Sequence, residues 1–416
     1  MSDVDSYTAE KMQRVFRGLY ADMHSAFSKC ATVNEPAIKP VDYWTNLPLP
    51  EDLRRALSSG KSIETDYLPD EIQRHILNEP GVAVTYKFSV GSRNVALHFV
   101  EFNVNMNQNK MDLKKMQAHA RRVCALMHLV SMHASRDACS SDLNIFIYMT
   151  EFKKRFPEKP GEMLDTEHAN TGMAYHCAKK NEIIVYRKEE WFKVLIHESF
   201  HAFGLSFIEQ DLSNGVNQVM QSMLQKMYAI SHQVRIYETY CEIWARILNV
   251  VFDCFADENA TPVYTNESIR PAEFQVFMEC VMEGIETNAR FSQQQYAKLL
   301  RYADITHETL TQPNEENRAI VRGNYRENTN VFAYTVLTCA LMHSSHDFMV
   351  WCYKNNPFRE DKRGIMQFRT IPSNFNGFMS LLDHCKRRCP KPVHQYPLND
   401  VLGASMRMTM PIPKHE

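Results

Sequence analysis

The sequence predicts an α+β protein with a small mixed β-sheet in its N-terminal half and a mostly α-helical C-terminal half. Two observations support this fold class. Stretches rich in β-branched and aromatic residues cluster before residue 188, and apolar residues at helical spacing dominate after Gly204. At 416 residues, the chain is long enough for one elaborate domain or for two sub-domains that share a cleft.

The first elements are two helices that flank a hairpin. Residues 5–30 are predicted as one amphipathic helix, and the proline-containing segment 34–50 as a linker across the surface. The apolar stretches GVAVTYKFSV and NVALHFVEFNV, separated by a turn at 91–92, predict a β-hairpin. A further helix is predicted over 109–134, where apolar residues recur every three or four positions.

Three more β-rich stretches precede the helix that carries the main motif. DLNIFIYMT is too rich in β-formers for a helix, and TGMAYH and EIIVYR predict a strand pair closed at 179–181. The motif helix is predicted to begin near Lys188. The helices expected beyond Gly204 cover residues 214–231, 237–251, 271–288, 293–304, 329–347 and 374–388.

These elements predict three parts. Residues 1–50 form an N-terminal helix and linker, 51–205 an α+β sub-domain that ends in the motif helix, and 206–416 a mainly helical sub-domain. The last two would enclose a cleft that opens onto the motif helix.

The composition indicates which classes of partner and which cellular compartment to expect. With 44% hydrophobic residues, 23% charged residues and a net charge of −2, nothing favours nucleic acid or an acidic membrane as a partner. No apolar stretch is long enough for a membrane span, and the N-terminus has no signal-peptide pattern. The eleven cysteines, without a C-x-x-C pair, predict a reduced intracellular setting in which they act mainly as small core residues.

The main motif is H-E-x-x-H, formed by His197, Glu198 and His201 in WFKVLIHESFHAFGLSF. Residues i and i+4 of a helix project on the same side, so both imidazoles can reach one metal ion. Glu198 would flank that ion and accept a proton from water as a general base. The competing interpretation is a pair of hydrogen-bonded histidines in a helical core.

A catalytic zinc site usually has three protein ligands, so a third is needed. The extension H-x-x-G-x-x-H fails because Phe207 stands at the last ligand position, although Gly204 fits. Glu238 and Glu242 lie one turn apart in the apolar helix YETYCEIWARILN, where buried carboxylates need partners. We assign Glu238 as the third ligand and Glu242 as the acceptor of a hydrogen bond from a ligating histidine.

Other residues compete for the remaining roles. Glu209 and Asp211 are rival ligands, but a sharp chain reversal would be needed to bring them back to the metal. A donor that stabilises the oxyanion is expected in NVFAYTVLTCALMHSSHDF, where Tyr334 is favoured over His343 and His346.

The motif and the two later glutamates resemble the gluzincin branch of zinc metallopeptidases. The family usually has aspartate where this chain has Glu242, and the 36 residues between His201 and Glu238 exceed the roughly 20 typical of it. Residues 140–250 are also similar to uncharacterised metallopeptidase-like proteins of large DNA viruses. The resemblance implies a zincin-like fold, a Zn²⁺ cofactor and a peptide or protein substrate.

The resemblance also implies a substrate site. In zincins, a strand at the rim of the cleft holds an extended peptide, and Asn170 and the backbone of Gly172 occupy the corresponding place. Such pairing is β-augmentation, in which a peptide adds to an exposed sheet edge. An ordinary hairpin strand without a ligand is the alternative.

The expected function is therefore a zinc-dependent metallopeptidase that hydrolyses peptide bonds. The alternative is a structural or interaction module of the same fold, for instance in a virion, that binds zinc with little turnover. A third interpretation is a helical scaffold in which the motif is accidental. The compartment would be the cytoplasm, or the host cytoplasm or virion if the chain is viral; the oligomeric state is not predicted.

Overall fold

The computed structural model describes residues 6–30, 40–44, 47–59, 67–102, 111–135, 137–208, 214–255, 271–356, 358–359, 362–392 and 401–410. In the first half, the elements are α1 Ser6–Lys29, β1 Pro40–Trp44, α2 Glu51–Ser59, α3 Asp70–Asn78, β2 Gly81–Val90, β3 Arg93–Phe102, α4 Leu113–His133, β4 Asp142–Tyr148, α5 Thr166–Ala169, β5 Gly172–Ala174, β6 Lys180–Val185 and α6 Trp191–Ala202. In the second half, they are α7 Asn214–Met227, α8 Ile236–Phe255, α9 Pro271–Tyr302, α10 His307–Thr311, α11 Glu315–Asn324, a π-helical segment Phe332–Leu337, α12 Thr338–His343, α13 Ser345–Asn355, β7 Phe358–Arg359, β8 Lys362–Arg363, a 3-10 turn Gly364–Met366, α14 Pro372–Arg388 and α15 Val401–Ala404.

The main sheet is mixed, and with the surrounding helices it confirms the α+β class. Its six strands lie in the order β1-β2-β3-β4-β6-β5. The pairs β3–β4 and β4–β6 are parallel, and the other three pairs are antiparallel. The predicted hairpin is present as β2 and β3, with Gly91 in the left-handed conformation at φ 60° in the turn. Strand β5 forms one edge of the sheet.

The two faces of the sheet are covered by different helices, because successive side chains of a strand point to opposite sides. One face joins the large core with α4 and α6; it includes Val84, Tyr86, Leu97, Phe99, Ile145 and Ile183. The other face packs against α3 and includes Ala83, Val100, Phe146, Tyr148, Ile184 and Tyr186. Helices α2 and α3 were not predicted, since both are short and the sequence signal of a nine-residue helix is weak.

The motif helix α6 is packed between the sheet and other helices, with one face toward a cleft. Residues 192–202 are all buried, and the helix packs against β5, β6, α4 and α8. Helix α8 is similarly apolar, with Trp244 and Tyr240 fully buried. A helix that is hydrophobic around its whole circumference belongs in a core. The core itself is continuous across residue 205 and also includes α1, which packs against α4, α9 and α13.

Several predicted boundaries were wrong. The 34–50 linker contains strand β1, which pairs with β2. The stretches 271–288 and 293–304 belong to one helix, α9, because Asn288 and Ser292 bond to carbonyls four residues earlier and do not break it. The 329–347 helix is interrupted by the π-helical segment and by Ser344.

Most of the cysteines lie in the core, as predicted, but four of them form disulfides that the sequence did not predict. Cys139 is disulfide-bonded to Cys177, and Cys254 to Cys280, across 38 and 26 positions of the chain. The remaining seven are free, and all but the half-buried Cys389 are buried. Spacing along the chain could not reveal these pairs, because a disulfide requires two Cα atoms within a few ångströms in the folded protein. None of the helices within the described ranges is long and apolar enough to cross a membrane.

Glu190 anchors the C-terminal segment beneath the motif helix. Its buried carboxylate pairs with Lys154 and accepts hydrogen bonds from the backbone of Met408 and Thr409 and from the Thr409 hydroxyl. Burial raises the pKa of Glu190, but Lys154, Lys193 and Arg407 outweigh it and lower the pKa to about 2. Because the folded pKa lies below the unfolded one, the ionised group stabilises the fold above about pH 4.5, and this contribution is lost as the pH falls toward 2.

We expect Glu190→Gln to lower the free energy of unfolding by about 3 kcal/mol at pH 7, because Lys154 is left buried without its counter-charge. The difference between the variant and the wild type should shrink between pH 4.5 and pH 2.5. Urea unfolding followed by circular dichroism at several pH values measures both effects. Glu286→Gln, which removes an exposed pair with Arg290, is the control and should stay within about 0.5 kcal/mol. Equal losses at pH 7 and at pH 2.5 would refute the electrostatic explanation.

Candidate functional site

The candidate site is a cleft of about 630 Å³ at the edge of the sheet. It lies beside strand β5, the motif helix α6, the start of α8 and the π-helical segment. Its lining residues come from both predicted halves of the chain and include Asp165, Asn170, Gly172, Tyr175, His176, His197, Glu198, His201, Arg235, Tyr237, Glu238, Asn330 and Tyr334.

Three predicted metal ligands converge on one point of this cleft. Nε2 of His197 lies 3.0 Å from Oε2 of Glu238 and 3.3 Å from Nε2 of His201. Nε2 of His201 lies 3.5 Å from the same Glu238 oxygen. A tetrahedral zinc ion with ligands at 2.0–2.1 Å requires ligand atoms about 3.3 Å apart. The spacing and the His₂Glu donor set therefore fit a catalytic zinc ion.

Glu242 occupies the position behind His197 that the sequence predicted for it. Its Oε2 lies 3.1 Å from Nδ1 of His197, so an N–H on Nδ1 donates to the carboxylate and Nε2 faces the cleft, where it can carry a proton or bind a metal ion. Lys193 donates to both carboxylate oxygens at 3.0 Å, and Arg246 donates to Oε1 at 2.8 Å. Burial raises the pKa of Glu242, but these two cations outweigh it and hold the pKa well below its usual range.

Glu238 and Glu242 make the His197 ring more basic. Burial lowers the pKa of His197, but hydrogen bonds with Glu238 and Glu242 outweigh it and raise the pKa to about 10. The group of acceptor atoms therefore attracts positive charge, whether a proton or a metal ion. Metal binding at such a site releases protons.

Glu198 differs from Glu238 in its electrostatic environment. Burial raises the pKa of Glu198, and the nearby His197 and His201 oppose this only in part. Burial acts in the same direction on Glu238, but the two histidines reverse it and hold the pKa well below its usual range. Two carboxylates with pKa values shifted in opposite directions can perform different tasks, one as a constant anion and the other as a proton carrier.

Tyr334 reaches the cleft from the π-helical segment. Its hydroxyl donates to Oε2 of Glu238 at 3.2 Å and accepts from Nδ2 of Asn330 at 3.4 Å. Arg246 donates to the Tyr334 carbonyl at 2.8 Å and so links this segment to Glu242. Burial, followed by the charge of Glu238, raises the pKa of Tyr334 well above its ordinary value, and the phenol keeps its proton. A protonated phenol is a hydrogen-bond donor.

Asn170 and Gly172 both line the cleft. Polar groups of Asn170 are hydrogen-bonded to other residues, and Gly172 is closely packed. The Asn170 side-chain oxygen accepts from the Thr329 hydroxyl at 2.7 Å, and its carbonyl accepts from Nε of Arg187 at 3.0 Å. At Gly172, an added Cβ would lie 2.7 Å from Cγ1 of Val194 and 2.9 Å from the Ile184 carbonyl oxygen. Glycine therefore permits strand β5 to pack directly on the motif helix.

We expect Gly172→Ala to lower the free energy of unfolding by about 1–3 kcal/mol, because the new methyl group overlaps β6 backbone and α6. The Glu198 side chain also lies 3.1 Å from that methyl position and would have to shift with it. Thermal unfolding measures the loss of stability. Gly215→Ala is the matched control, since its added methyl meets nothing within 4 Å. A Gly172→Ala protein as stable as the wild type would contradict this packing role.

The other predicted candidates either do not line the cleft or fall outside the described residues. His343 and His346 are not among the residues that line it. Glu209 and Asp211 lie outside the described residues. Sequence reasoning missed Lys193 and Arg246, although Lys193 lies four positions before His197 and Arg246 four after Glu242. That i, i+4 spacing was the available signal.

No protein-family model, no curated protein and no solved structure matches this chain. The likeness to gluzincins consequently stays a resemblance of motif and spacing. Its residues are His197, Glu198, His201, Glu238 and Glu242.

Proposed function

We propose that this protein is a zinc-dependent metallopeptidase with a zincin-like fold. The observation that carries the proposal is the spacing of 3.0, 3.3 and 3.5 Å among the ligand atoms of His197, His201 and Glu238. Two histidines held this close to each other and to one carboxylate oxygen, all buried, are typical of a catalytic zinc site. The adjacent Glu198 favours catalysis over a purely structural role, since it belongs to the cleft but not to the ligand set.

The residues of the chain have distinct roles in this proposal. His197, His201 and Glu238 hold zinc, which when bound supplies Lewis acidity that polarises a carbonyl group and acidifies water. Glu242 orients His197, and Lys193 and Arg246 keep Glu242 ionised. Glu198 accepts a proton from the attacking water and delivers it to the leaving amine. Tyr334, whose O–H donates to Glu238 in the free protein, would turn that hydrogen to the oxyanion.

A peptide is the substrate in this proposal, because the cleft borders an open strand edge. Strand β5 is the edge strand of the sheet and borders the same cavity as the ligands. An extended peptide can pair with such an edge through main-chain hydrogen bonds, with its carbonyl near the metal. Gly172 keeps this strand close to Glu198, and Asn170, bonded to Thr329, lies at its beginning.

The test is metal analysis combined with a peptide-hydrolysis assay. Purified protein is expected to retain zinc in the cleft, and His197→Ala to lose it together with cleavage of a broad peptide library. Chelation should abolish cleavage, and added Zn²⁺ should restore it. Zinc bound by the wild type without any cleavage would favour the alternative, a zinc-binding interaction module. No zinc in the cleft of the wild type would overturn both.

A further inference from the structure

A second cluster of metal-ligating side chains lies outside the cleft, where α12 packs against α14. Cys339 and His343 are one turn apart on α12, and Cys389 follows the last residue of α14. One ligand atom of each lies within 4.8 Å of the other two. We propose that Cys339, His343 and Cys389 hold a second, structural zinc ion, independent of the function proposed for the cleft.

The separation of the two sulfur atoms agrees with a shared zinc ion. The Sγ atoms of Cys339 and Cys389 are 3.9 Å apart. Two thiolates at about 2.3 Å from one tetrahedral zinc ion lie about 3.8 Å from each other. A disulfide would require about 2.05 Å between the same atoms. The observed separation therefore matches two ligands of one ion.

His343 distinguishes a metal site from a cysteine pair. Its Nε2 is buried and forms no regular hydrogen bond within the described part of the chain. A neutral imidazole keeps one lone-pair nitrogen and can ligate zinc. A Cys339–Cys389 disulfide would leave the buried Nε2 of His343 without a ligand or a hydrogen-bond partner among the described residues.

The site would connect a catalytic element to the rest of the helical half. Helix α12 continues directly from the π-helical segment that carries Tyr334, and α14 packs on both α12 and α7. A zinc ion between α12 and α14 would hold that segment in place by joining two elements 50 positions apart in sequence. Its role is structural, because neither cysteine lines the cleft.

Cobalt substitution separates this site from the first. The cleft ligands are nitrogen and oxygen, so an intense near-ultraviolet thiolate-to-cobalt charge-transfer band must come from a cysteine-containing site. The described residues hold two such groups, Cys339–His343–Cys389 and Cys30–Cys124–His128, and the substitutions below tell them apart. Full-length protein loaded with Co²⁺ should show this band, as should His197→Ala. Cys339→Ser, Cys389→Ser and the milder His343→Gln should weaken or remove it. Cys352→Ser, which changes a buried free cysteine elsewhere, is the control and should keep it.

A second measurement leaves Cys339, His343 and Cys389 unchanged, so it does not depend on whether variants at these positions fold. X-ray absorption of zinc in His197→Ala protein should show sulfur ligands at about 2.3 Å with at least one nitrogen. Zinc content should fall from about two ions per chain in the wild type to about one in either single-site variant. Absence of the charge-transfer band from the wild type, or a Cys339–Cys389 disulfide found by mass spectrometry of the native protein, would overturn the proposal.

Discussion

Glu198→Gln is expected to reduce peptide hydrolysis by about 10²–10⁴-fold while zinc stays bound in the cleft. The amide has nearly the same shape as the carboxylate but cannot take a proton from water. Glu198 is not one of the three converging ligands, so its replacement leaves the metal site whole. Removing a buried carboxylate whose pKa burial has raised should also leave folding stability intact or slightly increased.

The measurement is kcat/KM on a cleavable peptide, with zinc content determined on the same sample. Glu151→Gln, an exposed glutamate paired with Lys188 in the same half of the chain, is the matched control and should change neither quantity. If Glu198→Gln kept wild-type activity, the general base would lie elsewhere. If the variant lost zinc along with activity, the division of roles between Glu198 and Glu238 would be wrong.

Glu238→Gln is expected to weaken zinc binding in the cleft by more than about 100-fold and to abolish hydrolysis with it. Glu238 supplies the only carboxylate oxygen of the ligand group, at 3.0 and 3.5 Å from the two histidine nitrogens. The amide cannot provide the negative charge that offsets the metal, and it leaves the Tyr334 hydroxyl with a weaker acceptor. Chelator competition with Zn²⁺ measures the affinity.

Glu242→Gln offers an informative comparison, because it changes the group behind His197 and not a ligand. Its zinc affinity should fall by only about 10–100-fold. Lys193 and Arg246 would lose their shared counter-charge, however, so its folding stability should fall by about 3 kcal/mol or more. A larger loss of zinc in Glu242→Gln than in Glu238→Gln would reverse the two roles assigned here.

The elements that could be predicted were those whose signal is local. Helices α1, α4, α6 and α8 and the β2–β3 hairpin bury one face or all faces, so their apolar spacing reports the structure directly. Three elements that were not predicted are the short helices α2 and α3 and strand β1. The two helices cover the second face of the sheet, and β1 lies at an edge of the sheet, where it pairs with β2. Neither contact leaves a periodic pattern long enough to recognise.

The sequence by itself determined the part of the site that a single helix encodes. His197 and His201 lie one turn apart wherever α6 is helical, and Glu198 must flank them. Glu238 and Glu242 could be inferred, since two acids on a helix as apolar as α8 need partners. Only the tertiary structure decided that Lys193 and Arg246 hold Glu242, that the π-helical segment presents Tyr334, and that Gly172 lies against the motif helix. These relations join elements far apart in the chain, and a distance of 3 Å between such residues depends on how whole helices and strands pack and not on their spacing in sequence.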